Sequence, residues 1–163
     1  MKGYVEKIIN KYPMMVRERD QLKRQLNSQQ FLSVEDLISA MSFSHPEGDR
    51  VQSSDLSDKT AKIAMVYQEK LDKINTELIE PMQKKYNLLN EEITFFESAV
   101  EQLPEELADI IKALYFDKIG WDVIEYDYYM SRKTICNYRK RAIDSLVRIY
   151  QKRASSMEAA LLS

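Results

Sequence analysis

Apolar residues recur at spacings of three and four along residues 57–102, and this periodicity sets the main limit on the fold. Such spacing places the apolar side chains on one face of a helix. A helix over the whole stretch would contain about 45 residues and measure roughly 65 Å. Pro81 lies inside the stretch and costs about 3 kcal/mol in a continuous helix. We therefore expect a kink or a break near Ile79.

A rod with one apolar face cannot bury that face by itself, so the long helix needs a partner. The N-terminal helices, a second copy of the chain, or both can supply it. Because two-fold association is the commonest form of oligomer, we expect a homodimer. The residues that we assign to its interface are the apolar positions on both sides of Pro81: Tyr67, Leu71, Ile74, Leu78, Leu89, Ile93 and Phe96.

The composition favours an all-α fold with long helices. The chain has only three Gly and four Pro in 163 residues, which leaves few turns. We divide it into an N-terminal helical segment (1–56) that includes a polar loop (42–56), a long oligomerisation or connector helix (57–102), a C-terminal domain (103–153) and a tail (154–163). In the first segment, the apolar positions from Tyr4 to Leu26 predict a helix of about 25 residues. Pro13 lies inside it, so the helix either begins at Pro13 or kinks there. A second, short helix is predicted from Val34 to Met41.

The C-terminal domain is predicted to begin with a new helix after residue 102. Residues 103–106 (LPEE) place a proline at the first helical position and two carboxylates at the positive end of the helix. Further along, Trp121, Ile124 and Tyr128 are spaced three and four apart. This spacing predicts a short helix of about two turns.

A longer helix is predicted from Ser131 to Tyr150. Ser131 can accept an early backbone N–H of this helix as its N-cap. One stripe of the helix is apolar and consists of Ile135, Tyr138, Ala142, Leu146 and Ile149. Only residues 129–131 connect it to the preceding short helix. Two helices joined by so short a connection, the second of them basic, are typical of a helix-turn-helix.

Basic residues are concentrated in this last helix. Residues 131–153 hold eight Lys and Arg against Asp144 alone, a local charge of +7 (eight minus one) in a chain of net charge −2. Residues 91–127 hold eleven acidic residues against two lysines. This polarity indicates a face that binds double-stranded DNA. We assign base readout to Arg132, Lys133, Thr134 and Asn137, and phosphate contacts to Arg139, Lys140, Arg148, Lys152 and Arg153.

The same region resembles a known family. Residues 121–124 (WDVI), 130–132 (MSR), 134–135 (TI) and 141–143 (RAI), with Leu146, resemble region 4 of bacterial sigma-70 factors. They are more similar to the sigma-region-4-like regulators of Gram-positive phages and prophages, the RinA-like and ArpU-like late transcription activators. The resemblance implies a phage or prophage late-gene activator at a promoter, with host RNA polymerase as a further partner. It also implies that the major-groove positions are Arg132, Lys133, Thr134, Cys136 and Asn137.

Two positions depart from the family's pattern. Tyr129 occupies a turn position at which such proteins often have Gly, which reaches φ > 0 without steric cost. Glu125 stands where a small residue usually lets the two helices approach. We therefore expect a somewhat opened angle between the helices or a compensating partner for the carboxylate. The nearest candidate partner is Arg139.

No residue pattern in the sequence indicates catalysis, a cofactor or a metal. His45 is the only histidine and Cys136 the only cysteine, and neither has the neighbours that a metal site or a nucleophile needs. No Gly-rich phosphate-binding loop is present. No apolar run approaches the ~20 residues of a membrane span. We expect a protein of the bacterial host cytoplasm that is not an enzyme and has no membrane partner.

Two other functions remain open. A coiled-coil interaction protein could use its basic C-terminus only to pair with the acidic residues of 91–127. A DNA-packaging protein of the small-terminase type would also combine a helix-turn-helix with an oligomerising helix. Stoichiometry distinguishes these alternatives, because a dimer favours the regulator and a ring of about eight or more subunits favours the packaging protein.

Overall fold

The computed structural model describes residues 1–29 and 53–161, with side-chain surroundings for residues 1–28 and 61–161. These residues form six α-helices: α1 (Lys2–Gln29), α2 (Ser53–Ile74), α3 (Glu80–Glu101), α4 (Glu105–Ile111), α5 (Trp121–Asp127) and α6 (Arg132–Leu161). Two π-helical turns, Asn75–Ile79 and Lys112–Phe116, follow α2 and α4. No strand occurs among the described residues, and the predicted all-α class is confirmed.

Parts of the predicted N-terminal segment can be compared with these bounds. The long stretch that was predicted to begin at residue 57 already forms α2 at Ser53, so residues 53–56 of the predicted loop are helical. Pro13 neither starts nor ends α1, which continues through it. The predicted helix from Val34 to Met41, residues 42–52 of the loop, and His45 lie outside the described residues.

The first compact unit consists of residues 1–18 together with residues 89–163. Its core combines the first half of α1, the second half of α3, α4 and α6. The fully or almost fully buried side chains include Val5, Ile9, Ile93, Phe96, Val100, Leu107, Ile111, Ala142 and Leu146. Tyr12 of α1 stacks on Phe116 with ring centroids 4.5 Å apart. The predicted division at residue 103 therefore differs from the observed unit, because the helices after it share one core with both α1 and α3.

The second compact unit consists of residues 19–88, in which Leu22, Leu26 and Leu71 are buried. Of the kink or break expected near Ile79, a break does not occur, because the π-helical turn Asn75–Ile79 leads directly into α3. At the junction the Glu80 N–H donates to the carbonyl of Asn75, and Glu80 keeps helical angles of φ −58° and ψ −47°. Proline lacks an N–H and its ring crowds the carbonyl four residues earlier. The wider π-helical turn provides room for that ring without ending the helix.

Burial changes the predicted oligomer interface. Ile93 and Phe96 are fully buried in the core of the first unit, and Leu89 packs against the same core. The assignment of Ile93 and Phe96 to a surface between chains is therefore corrected, since they have no exposed area left for a partner. In the second unit, Leu71 is buried as well, whereas Ile74 and Leu78 are 39% and 46% exposed. Tyr67 is half-buried. No helix among the described residues has the length and apolar character needed to cross a membrane.

Candidate nucleic-acid interface

Helices α4, α5 and α6 meet around a small apolar cluster. Ile110, Ala113, Ile124 and Ile135 are at most 2% exposed and form its centre. Helix α6 packs against both α4 and α5. Further along α6, Ala142 and Leu146 are fully buried, and the two outer members of the predicted stripe, Tyr138 and Ile149, are half-buried. The predicted inward face of α6 is therefore confirmed, which leaves its opposite face exposed.

A left-handed residue makes the tight connection from α5 to α6. Tyr129 has φ 52°. Its N–H donates to the carbonyl of Tyr126 (3.4 Å), and the N–H of Met130 donates to the carbonyl of Glu125 (3.2 Å). These two bonds are the Schellman pattern of a helix C-terminus, in which glycine is the usual left-handed residue. Tyrosine supplies that conformation here, at a cost of roughly 1–2 kcal/mol relative to a right-handed residue.

Ser131 caps α6 as predicted. Its hydroxyl accepts a hydrogen bond from the backbone N–H of Thr134 (3.3 Å), and the two hydroxyl groups are 2.9 Å apart. The cap satisfies one of the backbone donors that the first turn of a helix leaves unpaired. Thr134, predicted to read bases, is half-buried and uses its hydroxyl within this cap.

The exposed face of α6 carries a row of polar side chains, which we call the α6 strip. Its members are Lys133, Asn137, Lys140, Arg141, Arg148 and Lys152, and all six are exposed. Among the described residues, the five cations of the strip have no acidic partner within ion-pair distance. Asp144, the one acid on this face, forms an ion pair with Lys2 of α1, with Nζ and Oδ1 3.0 Å apart. The strip is therefore a cationic surface without internal neutralisation.

Arg153 does not belong to this exposed row. Its Nη1 lies 3.1 Å from Oε2 of Glu92, and its guanidinium lies 4.1 Å from the ring centroid of Phe95. The hydroxyl of Tyr150 donates to the other oxygen of Glu92 at 2.9 Å. Burial, and next the negative charge of Glu92, raise the pKa of Tyr150. The guanidinium of Arg153 is held by Glu92 and Phe95 of α3, so the predicted phosphate contact by Arg153 does not belong to the exposed strip.

Arg139 has a partner of a different kind. Its Nε donates to the hydroxyl of Tyr115 at 2.6 Å, and its guanidinium carbon lies 5.8 Å from the centroid of that ring. The phenol is neutral, so this bond restrains the side chain without cancelling its charge. The expected pairing of Arg139 with Glu125 is wrong, because Glu125 faces Arg132 instead, with Oε2 and Nε 3.6 Å apart.

Arg132, at the start of α6, is held by the acidic side of α5. Its Nη2 lies 2.6 Å from Oδ1 of Asp122, and its Nε faces Glu125. Its guanidinium also lies 6.0 Å from the ring centroid of Trp121. A predicted base-reading residue is thus oriented by three residues of the preceding helix.

Sequence reasoning did not find Lys2 or Asp122 as parts of this surface. Lys2 lies 142 positions from Asp144, so no local spacing connects them. Asp122 could have been predicted from the sequence. It lies ten positions before Arg132, and the short helix and tight turn between the two residues bring them face to face. Among the described residues no polar or charged residue is buried. The arrangement is an exposed, charged surface.

Comparison of the chain with protein-family models, with curated protein sequences and with solved structures gives no match.

Proposed function

We propose that this chain is a sequence-specific DNA-binding protein that regulates transcription. The observation that carries the proposal is the α6 strip, in which five exposed cations lie on one helix face without acidic partners among the described residues. Phosphate contacts by such cations supply most of the affinity of a protein for DNA. The major groove, about 12 Å wide, admits an α-helix.

The geometry of α5 and α6 supports a helix-turn-helix as the means of docking. Helix α5 packs behind the first turns of α6, and the left-handed residue Tyr129 lets the chain turn within a few residues. Lys133 and Asn137 then project from the first two turns of α6, where base edges are read. The strip extends 19 positions from Lys133 to Lys152, or about 28 Å. Its far end would therefore meet the sugar–phosphate backbone outside the groove.

An interaction protein without DNA, in which acidic residues 91–127 neutralise the basic helix, has less support. In the described part of the chain only Arg132 and Arg153 of α6 pair with that segment. The strip remains available for an external anion. The narrower assignment, to phage or prophage late-gene activators that contact RNA polymerase at a promoter, rests on the resemblance of residues 103–153 to sigma region 4.

The test begins with selection of bound duplexes from a random DNA library, followed by fluorescence anisotropy on the selected site and on a random duplex. With about four phosphates neutralised, a fourfold rise in salt should weaken binding about 150-fold. A double variant, Lys140→Ala with Lys152→Ala, should reduce the log–log salt slope by about 1.8. The matched control, Lys7→Ala with Lys11→Ala, removes two exposed lysines of α1 and should leave the slope unchanged. No enriched sequence together with a slope near zero would refute the proposal.

We further propose that the protein acts as a homodimer through an apolar face of α2 and the turn after it. Ile63, Val66, Ile74 and Leu78 are between 39% and 49% exposed on this face. Lys70 and Glu77 lie on the same face, seven positions apart. An antiparallel copy would place the lysine of one chain opposite the glutamate of the other, whereas a parallel copy would oppose like charges. Dimerisation would pair two DNA-binding helices and raise affinity without new contacts.

Light scattering of the full chain tests the dimer. Val66→Asp with Ile74→Asp should give monomers and weaken binding to a two-site DNA. Met65→Asp serves as the control, because Met65 is 67% exposed but lies about 160° around the helix from Ile63. A wild-type monomer at tens of micromolar would rule the dimer out. A ring of many subunits would favour the packaging protein.

A further inference from the structure

The guanidinium of Arg132 is held along one edge and open along another. Nε faces Glu125 at 3.6 Å and Nη2 faces Asp122 at 2.6 Å. These two nitrogens form the side edge of the planar group. The end edge, formed by Nη1 and the second hydrogen of Nη2, has no acceptor among the described residues. An arginine fork restrained in this way has lost much of its rotamer freedom before any ligand arrives.

The open edge fits one base better than the others. Two parallel N–H donors match the O6 and N7 acceptors that guanine presents in the major groove. Adenine offers N7 beside an amino donor, which would oppose one of the two N–H groups. Restraint of the fork in this orientation therefore favours guanine, whereas a free arginine could also turn to a phosphate.

The carboxylates that contact the Arg132 guanidinium lie on the protein surface, on a helix that the apolar cluster fixes in place. The side chains of Asp122 and Arg132 are 91% and 57% exposed, while that of Glu125 is 31% exposed. Exposed ion pairs contribute little to the stability of a fold. Stability therefore does not explain the pair between Asp122 and Arg132. Trp121, on the same helix, packs against the apolar cluster between α5 and α6. This packing fixes the backbone positions of Asp122 and Glu125 relative to the first turn of α6.

We propose that Asp122 and Glu125 are positioning residues for DNA specificity, which orient the end edge of the Arg132 guanidinium toward a guanine in the major groove. The inference rests on the proposed function, since it concerns how the same surface selects its site. The two carboxylates act in two ways. They hold the fork for guanine, and their negative charge disfavours approach of the phosphate backbone in any other register.

The opposed effects on specific and random DNA distinguish positioning from plain electrostatics. Asp122→Asn removes one charge near the interface, which should raise affinity for a random duplex about twofold. It should also lower affinity for the selected site several-fold, because a bidentate arginine–guanine contact is worth roughly 5- to 160-fold in discrimination. Asp127→Asn is the matched control, with the same charge change on the same helix but without a contact to Arg132. It should raise affinity for both duplexes by the same factor.

The experiment measures anisotropy on both duplexes and repeats the library selection for each variant. Selection with Asp122→Asn should lose preference at a guanine position, the position that Arg132→Lys also loses. In an Arg132→Ala background, Asp122→Asn should change affinity for both duplexes by the same factor, because only its charge effect remains. Equal specific-to-random ratios for Asp122→Asn and Asp127→Asn would overturn the inference, with the DNA-binding proposal intact. A selected site without guanine at the affected position would overturn it too. Absence of binding by the wild-type chain would overturn both proposals.

Discussion

Replacement of Tyr129 by glycine should stabilise the first compact unit. Tyr129 has φ 52°, a conformation that costs an L-residue roughly 1–2 kcal/mol relative to the right-handed region. The residue is 93% exposed, so removal of its side chain loses almost no burial. Glycine also has more conformational freedom in the unfolded chain, which reduces this stabilisation by roughly 0.5–1 kcal/mol. The difference between these two terms lies between about 0 and 1.5 kcal/mol, and its midpoint is a stabilisation of about 0.75 kcal/mol.

Trp121 is the only tryptophan and lies in α5, directly before this turn. Its fluorescence therefore reports unfolding of the first unit during urea denaturation. Tyr129→Ala is the matched control, because alanine keeps the cost of the left-handed conformation and removes the exposed ring. Alanine should lie within about 0.5 kcal/mol of wild type, and glycine should exceed alanine by up to about 1 kcal/mol. If glycine is no more stable than alanine, Tyr129 does not adopt the left-handed conformation in solution.

Three other changes have defined outcomes. Asn137→Ala should cost roughly 1–3 kcal/mol on the selected DNA site and much less on a random duplex in the same anisotropy assay, because it removes a base-reading amide. Phe96→Ala should destabilise the first unit by about 3–5 kcal/mol in the Trp121 assay, since Phe96 is fully buried; a small loss would place it at a surface. The pKa of Tyr150 is raised from 10.0 by burial and by Glu92, so its contribution to stability is complete below pH 10.0 and is lost as pH rises above that value. Urea titrations above this pH should therefore show a steeper loss of stability for wild type than for Tyr150→Phe, and parallel curves would contradict the assignment.

The sequence alone determined the features that depend on neighbours within a few turns. The spacing of Ile135, Ala142 and Leu146 predicted the buried face of α6, because a helix repeats every 3.6 residues whatever it packs against. By the same logic the cationic face opposite had to be exposed. Ser131 was predicted as the cap because a capping hydroxyl acts only three residues ahead. The resemblance to sigma region 4 drew on the same local residues and stays a prediction.

Tertiary structure determined which charged side chains remain unpaired and which apolar side chains remain exposed, so that another molecule can contact them. Arg153 looked equivalent to Lys152 in sequence, yet it pairs with Glu92, 61 positions away. The apolar positions of 57–102 were all assigned to one interface between chains, yet Phe96 is buried in the first unit's core while Leu78 is 46% exposed. The reason is that periodicity reports which face of a helix is apolar. Periodicity does not report which helix packs against that face. This depends on contacts between residues that are far apart in the sequence.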